Sequence, residues 1–212
     1  TSRRQRQMCI RDSLYAYGDL WLDENGYIYI NPNDPKLMVT DERIKLGSVL
    51  PDYNAGFRND FSYKGINLSL LFSARFGGIV VSPTQGFLDG LGVSKASADA
   101  RDAGGVPINN GRIDAQHYYE TVGLGQLLSH YTYSATNVRL QETSIGYTFP
   151  KKWMGDRVKL TASLVGRNLW MIYCKAPFDP ELTASTGSYL QGIDYFMQPS
   201  TRNLGSVSYT HL

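Results

Sequence analysis

Cysteine is almost missing from this chain, with two in 212 residues, Cys9 and Cys174. Two thiols cannot build a disulfide framework, and these two have no metal-ligand spacing. Charge of one sign is missing as well. Lys and Arg number 21 against 19 Asp and Glu, for a net charge of +2. So even a balance argues against nucleic acid as the main partner. Long apolar runs are also absent. No stretch approaches the roughly 18 apolar residues that a membrane-crossing helix needs. The longest apolar region, residues 66–81, is broken by Asn67, Arg75, Gly77 and Gly78. The N-terminus carries no signal-peptide pattern. None of this excludes a membrane, because a barrel strand needs only every second residue to be apolar. Tyrosine (15) and glycine (21) are plentiful, a composition that suits strands joined by turns.

The strongest pattern is strict alternation. In residues 66–76, Ile66, Leu68, Leu70, Phe72, Ala74 and Phe76 fall on one face. Asn67, Ser69, Ser73 and Arg75 fall on the other, with Leu71 the one apolar exception. Residues 52–64 repeat the pattern. Tyr53, Ala55, Phe57, Phe61 and Tyr63 oppose Asp52, Asn54, Arg58, Asp60, Ser62 and Lys64. A period of two means strand. Strands of about 10 residues with one apolar and one polar face are what a transmembrane β-barrel requires. The two are joined by a short turn at residues 63–65. Alternation returns over residues 137–149 and 158–170, joined by a short connection at 150–156. In the second of these, Val158, Leu160, Ala162 and Leu164 oppose Lys159, Thr161, Ser163 and Arg167. A final strand is expected from about Thr201.

Between these strands lie two irregular stretches, 77–136 and 171–199. Short helices are expected at 95–101 and 115–120. A stretch this long counts against a compact domain but is normal on a barrel, where one rim carries long loops and the other short turns. The order short, long, short, long therefore places the two short connections on one rim. Residues 14–50 read as small hairpin pieces, with turns at 23–26 and 31–35 around a strand at 27–30.

Catalytic patterns are thin in this sequence. The acidic turn at 23–26 lacks the spaced carboxylates of a calcium loop. His117 and His130 have no nucleophile elbow beside them. Asp179 and Glu181 flank a proline in a turn-like segment, a poor geometry for a glycosidase pair. No phosphate loop surrounds Gly86, Gly92, Gly123 or Gly125. The sequon at Asn67-Leu-Ser69 falls inside a strand. Tyr118, Tyr119, Tyr131 and Tyr133 suit loop packing or an interfacial girdle better than ligand stacking. No catalytic residue, metal site or cofactor is expected.

A family resemblance runs through the chain. Ile44-Lys-Leu-Gly-Ser-Val-Leu-Pro-Asp-Tyr53, followed by Asn59-Asp-Phe-Ser-Tyr-Lys-Gly-Ile-Asn-Leu68, resembles a signature of SusC/RagA-type outer-membrane proteins. These are TonB-dependent transporters of Bacteroidota. Further matches keep the family's order: Ala74-Arg-Phe-Gly-Gly78, Val138-Arg-Leu-Gln-Glu-Thr-Ser-Ile-Gly-Tyr-Thr-Phe-Pro-Lys-Lys-Trp153 and Leu164-Val-Gly-Arg-Asn-Leu-Trp170. Phe178-Asp-Pro-Glu181, Gly192-Ile-Asp-Tyr-Phe196 and Pro199-Ser-Thr-Arg202 close the series. The match covers residues 40–206.

The resemblance implies an all-β fold, the last antiparallel strands of a barrel of about 22 strands when complete. It implies a multi-pass protein of the outer membrane that imports oligosaccharides or peptides. The partners it implies are the TonB complex, a SusD-like lipoprotein lid, the glycan or peptide substrate and membrane lipid. Plug domain and TonB box fall outside the matched stretch. On this reading Phe57, Leu68, Leu70, Phe72 and Leu164 face lipid, and Arg58, Asp60, Arg75 and Arg167 face the lumen. Residues 14–206 form the partial barrel. Residues 1–13 and 207–212 resemble translated sequencing-adapter read-through and are expected to be non-native.

Alternation alone also fits a soluble β-sandwich binding module such as a lectin. A sandwich would bury its apolar face against a second sheet, and would carry short loops at both ends. A secreted glycosidase would need two convergent carboxylates.

Overall fold

A computed structural model describes residues 13–31, 34–150, 152, 159–182 and 190–211. In chain order the strands are β1 (Ser13–Tyr17), β2 (Ile30–Asn31), β3 (Asp34–Leu37), β4 (Arg43–Ser48), β5 (Tyr53–Tyr63) and β6 (Ile66–Phe76). They continue as β7 (Ile79–Val81), β8 (Val106–Ile108), β9 (Gly111–Ile113), β10 (Thr132–Ser134), β11 (Asn137–Thr148), β12 (Lys159–Cys174) and β13 (Asn203–His211). The helices are α1 (Pro83–Gly90), α2 (Lys95–Asp102) and α3 (Ala115–Tyr119), the last running into a π turn at Glu120–Leu124. The chain is all-β in class, built on antiparallel sheets. It divides into two units. One comprises Pro51–Gly77, Ala135–Pro180 and Gln198–Leu212, the other Thr1–Leu50, Gly78–Ser134 and Glu181–Met197.

The first unit is a single five-stranded sheet in the order β13-β12-β11-β6-β5. Sequential neighbours pair antiparallel throughout, a meander in which short and long connections alternate between the two ends. The β5–β6 loop is two residues long, because Tyr63 pairs directly with Ile66. The three-residue turn expected at 63–65 is thus shorter. Lys64 (φ 46°) and Gly65 (φ 88°) both adopt left-handed backbone, the turn whose twist matches that of the strands it joins. A Cβ on Gly65 would lie 2.8 Å from the Thr148 carbonyl oxygen, so the position tolerates only glycine.

Two strands differ in length from the expected ranges. β12 continues past residue 170 to Cys174. Register shifts in the β11–β12 pairing break its alternation, and Asn168 (φ 55°) sits within the irregular stretch. A period-two reading stops at such a bulge although the ladder does not. β13 begins at Asn203 and pairs with β12 through His211. The suspected non-native segment 207–212 therefore lies largely within a paired strand. Residues 1–12, most of the connection 150–156, and Val158 lie outside the described residues.

The second unit holds the only substantial apolar core among the described residues. Leu20, Leu37, Val122, Leu127 and Tyr131 are buried together, with Ile28, Ile30, Ile113, Tyr118 and Tyr133 packed against them. Residues 77–136, expected to be irregular apart from two helices, contribute most of this order. α2 and α3 match the expected helices. α1 was not expected, although its signals are local. Ser82 caps it, its side chain accepting from Gln85 N at 3.1 Å, and Pro83 occupies the first turn. The strand pairs β7–β10, β8–β9 and β1–β4 complete the unit, with β2–β3. The strand expected at 27–30 is reduced to a bridge between Leu22 and Ile28 and the first residue of β2.

Residues 190–197 are pinned to the start of α1. Ser82 Oγ donates to Asp194 Oδ2 at 2.7 Å, and Asp194 N donates to the Val81 carbonyl at 2.8 Å. Phe196 (φ 51°) is held in a backbone region that bulky residues rarely adopt, its N–H bonded to Thr84 Oγ1 at 2.7 Å.

Candidate functional site

The sheet has two chemically distinct faces, and register defines them. Directly paired residues share a face. Phe57 pairs with Phe72, which pairs with Leu140. Phe61 pairs with Leu68, Leu68 with Ile145, and Ile145 with Leu164, an apolar row crossing four strands. Leu70 pairs with Asn59 and Thr143 on the same face. The five residues singled out as apolar (Phe57, Leu68, Leu70, Phe72 and Leu164) therefore share one face. This face is open. Phe57 is 62% exposed and Leu164 63%. Among the described residues of this unit, the buried apolar side chains are the small ones of Ala135, Ala176 and Pro180.

Aromatic rings gather at both ends of the apolar face. Tyr53 and Phe76 pair at one end, with Trp170 and Tyr173 nearby on β12. Tyr63 and Tyr147 both pair with Ile66 at the other end, and the Tyr147 and Phe149 rings meet edge-on at 5.0 Å.

The four polar residues singled out in the sequence share the opposite face. Arg58 Nε lies 3.0 Å from Asp60 Oδ2 along β5. Arg167 Nε lies 3.1 Å from Glu142 Oε2 across the β11–β12 ladder. Arg75 is paired between Asn54 and Asn137. Near the hairpin end, Asn67 Nδ2 donates to Thr148 Oγ1 at 3.2 Å and Ser62 Oγ donates to Asn67 Oδ1 at 2.9 Å. Asn67, the sequon asparagine, is thus a ladder residue. Ion pairs this exposed contribute little stability, because water screens both charges.

One buried network was not visible in the sequence. Arg139 on β11 grips Asp179, with Nη2 to Oδ1 at 2.7 Å and Nη1 to Oδ2 at 3.4 Å. Both side chains are almost fully buried. Arg139 Nη1 also donates to Asn168 Oδ1 at 3.3 Å. Asn168 Nδ2 donates to Ser200 Oγ at 2.8 Å, and the Ser200 hydroxyl closes the ring onto Asp179 Oδ2. Each residue comes from a different motif block: the RLQE, RNLW, FDPE and PSTR strings. The network ties both ends of the β12–β13 connection to the sheet. It also removes Asp179 from any glycosidase role, because its carboxylate is committed to a guanidinium and a hydroxyl.

The remaining sequence candidates form no reactive centre. Asp23 Oδ1 accepts from Asn25 N and Tyr27 N, a turn that uses its carboxylate locally. His117 is exposed on α3. His130 Nε2 lies 3.1 Å from Asp19 Oδ1, and Ser129 Oγ donates to that same oxygen, so the serine faces the carboxylate instead of the imidazole. No group of three or more potential metal ligands occurs among the described residues. The loop tyrosines serve the second unit's own core. Burial pushes the Tyr118 phenol up to about 12 and drives that of Tyr131 well above the usual range.

Comparison with known proteins agrees with this geometry. No protein-family model matches the chain. It is 28% identical over 192 residues to TonB-dependent receptor P3 of Formosa agariphila, covering 87% of this chain and 18% of that protein. It is 27% identical over 202 residues to TonB-dependent receptor P26 of the same organism, covering 92% of this chain and 20% of that protein. The chain thus spans about a fifth of the length of the curated relatives it matches. Its fold matches part of the RagAB peptide importer in the closed-closed state, with a TM-score of 0.63 at 16% identity over 94% of this chain and 23% of that one. In the open-open state the TM-score is 0.59 at 18% identity over 93% and 21%. The sequence is therefore related to TonB-dependent receptors along most of its length, and its fold is shared with one stretch of a transporter barrel.

Proposed function

We propose that this chain forms part of the barrel wall and extracellular loops of a TonB-dependent outer-membrane transporter. The observation that carries the proposal is the two-faced sheet. Its strands run from 9 to 16 residues, long enough to cross a bilayer when tilted. Its apolar face is open and bordered at both ends by aromatic rings, as lipid and its two interfaces demand. A soluble sandwich would have to cover that face with a second sheet, whereas every named strand of this unit belongs to one sheet.

On this reading Phe57, Leu68, Leu70, Phe72 and Leu164 contact lipid. Arg58, Asp60, Arg75 and Arg167 line the lumen, where water solvates their charges. The apolar row sets the register, because an arginine on the lipid side near the midplane costs about 2–4 kcal/mol. The chain itself performs no chemistry. The whole transporter imports an oligosaccharide or peptide, powered by the TonB complex and assisted by a SusD-like lipoprotein. The similarity to TonB-dependent receptors and the fold shared with a peptide importer support this role.

Topology supplies the test. Short turns are periplasmic in such barrels and long loops extracellular. An epitope inserted after Gly104, where the chain has open space around it, should be labelled on intact cells of a strain expressing the full-length parent. One inserted at Lys64 should need permeabilised cells. The reverse pattern would overturn the assignment.

A further inference from the structure

The helix-bearing unit contains a cavity of about 400 Å³ between α1, α2, α3 and the π turn. That size lies within the range of small-ligand pockets. Asp89, Arg101, Gln116, Tyr119, Glu120 and Leu124 line it. Asp89 is 6% exposed, yet it makes no ion pair among the described residues. Its partners are neutral. Gln85 Nε2 donates to Oδ1 at 2.9 Å, and the Tyr131 hydroxyl is bonded to the carboxylate. No cationic side chain among the described residues is paired with this buried carboxyl group, so a cationic ligand would supply the partner that such a group lacks.

The rest of the lining points the same way. Glu120 adds a second carboxylate, with Oε1 accepting from Gln116 Nε2 at 2.8 Å. Arg101 is the opposing charge, but Nη2 is turned to the Gly92 carbonyl at 3.2 Å and the side chain is exposed. Two acidic residues and one arginine thus line the cavity, with the guanidinium held at the Gly92 carbonyl. Tyr119 supplies an aromatic wall, its ring edge-on to Tyr118 at 5.0 Å and its hydroxyl bonded to the Ala96 carbonyl. Aromatic walls favour organic cations. A metal ion is a poorer match, because no cluster of three potential ligands exists among the described residues.

We propose that this cavity binds an organic primary ammonium group. Asp89 is its counter-ion, Glu120 its second acceptor, and Tyr119 with Leu124 packs the carbon chain behind it. The inference does not depend on the transport reading, since it concerns binding to one loop cavity. A lysine side chain and an amino sugar both carry the required group, and the experiment separates them.

The test is a ligand-detected NMR titration of the full-length parent in detergent, with N-acetyl-lysine amide, N-acetyl-norleucine amide and glucosamine. The charged lysine derivative or glucosamine should bind saturably, and the neutral norleucine derivative at least about tenfold more weakly. The preferred of the first two identifies the source of the ammonium. Asp89→Asn should weaken the preferred ligand by at least about tenfold, and Glu120→Gln by less. If Asp89→Asn does not fold, the charged-to-neutral ratio in the unaltered protein and the Glu120→Gln shift still decide. Equal binding of the charged and neutral lysine analogues, no saturable binding of any ligand, or undiminished affinity in Asp89→Asn would each overturn the proposal.

Discussion

The Arg139 guanidinium and the Asp179 carboxylate meet as a fork at 2.7 and 3.4 Å, with side chains only 6% and 8% exposed. They stand 40 residues apart, and Asn168 and Ser200 complete the ring. A buried pair of this kind contributes little net stability, but losing one partner strands the other without solvent. Arg139→Met or Asp179→Leu alone should destabilise the parent by about 3–5 kcal/mol, and the double variant by clearly less than the sum. Denaturant titration of the folded parent in detergent micelles measures the coupling. Strict additivity would show that the pair is not a coupled unit.

The hairpin turn makes a sharper local test. Gly65→Ala forces a side chain into left-handed backbone and toward the Thr148 carbonyl. The cost should be about 1–2 kcal/mol from the backbone alone. The adjacent Lys64→Gly change removes the same kind of strain and should be neutral or mildly stabilising. Comparing the unfolding midpoints of the two variants checks this.

Alternation made the sheet readable from sequence, because each of 66–76 and 52–64 carries its own face assignment. The bulge near Asn168 hid the last turn of β12, since one inserted residue flips the pattern. The Arg139–Asp179 ring was illegible for a different reason. Its four residues have no period and lie in four separate strings, so only the folded sheet brings them together. The helix-bearing unit was missed in part because β7 and β10 are three residues long, too short for any period, and pair across most of the unit. The Ser82-Pro83 start of α1 was a local signal that could have been used. The cavity beside Asp89 needed three helices to be placed at once.

Alkaline pH should unfold the helix-bearing unit first. Burial raises the Tyr118 phenol from 10.0 to about 12, so the folded state keeps a proton that the unfolded chain loses. The contribution is present below about pH 10 and fades as pH rises toward 12. Phenolate absorbance against pH, followed with the unit's amide-exchange protection, should show late tyrosine ionisation coincident with opening. Ionisation of all tyrosines near pH 10 with protection intact would contradict the buried placement.

Charge placement separates the faces in cells. Leu70→Arg should depress the outer-membrane level of the parent far more than Ser69→Arg, because it carries the lipid-side cost of about 2–4 kcal/mol. Equal levels for the two variants would show that the two faces do not meet different surroundings, and a larger loss for Ser69→Arg would show that the register is wrong by one residue.

The account rests on lipid meeting one face of β6 and water the other. Single cysteines introduced one at a time from Leu68 to Ser73, in a parent whose own cysteines, Cys174 among them, are replaced by serine and which is reconstituted into vesicles, can each carry a spin label. Collision rates with oxygen, which partitions into lipid, and with a water-soluble nickel chelate then report each position's surroundings. The account predicts a period of two, with positions 68, 70 and 72 favouring oxygen and positions 69, 71 and 73 favouring the chelate. Rates that do not alternate, or that alternate in the opposite phase, would contradict it.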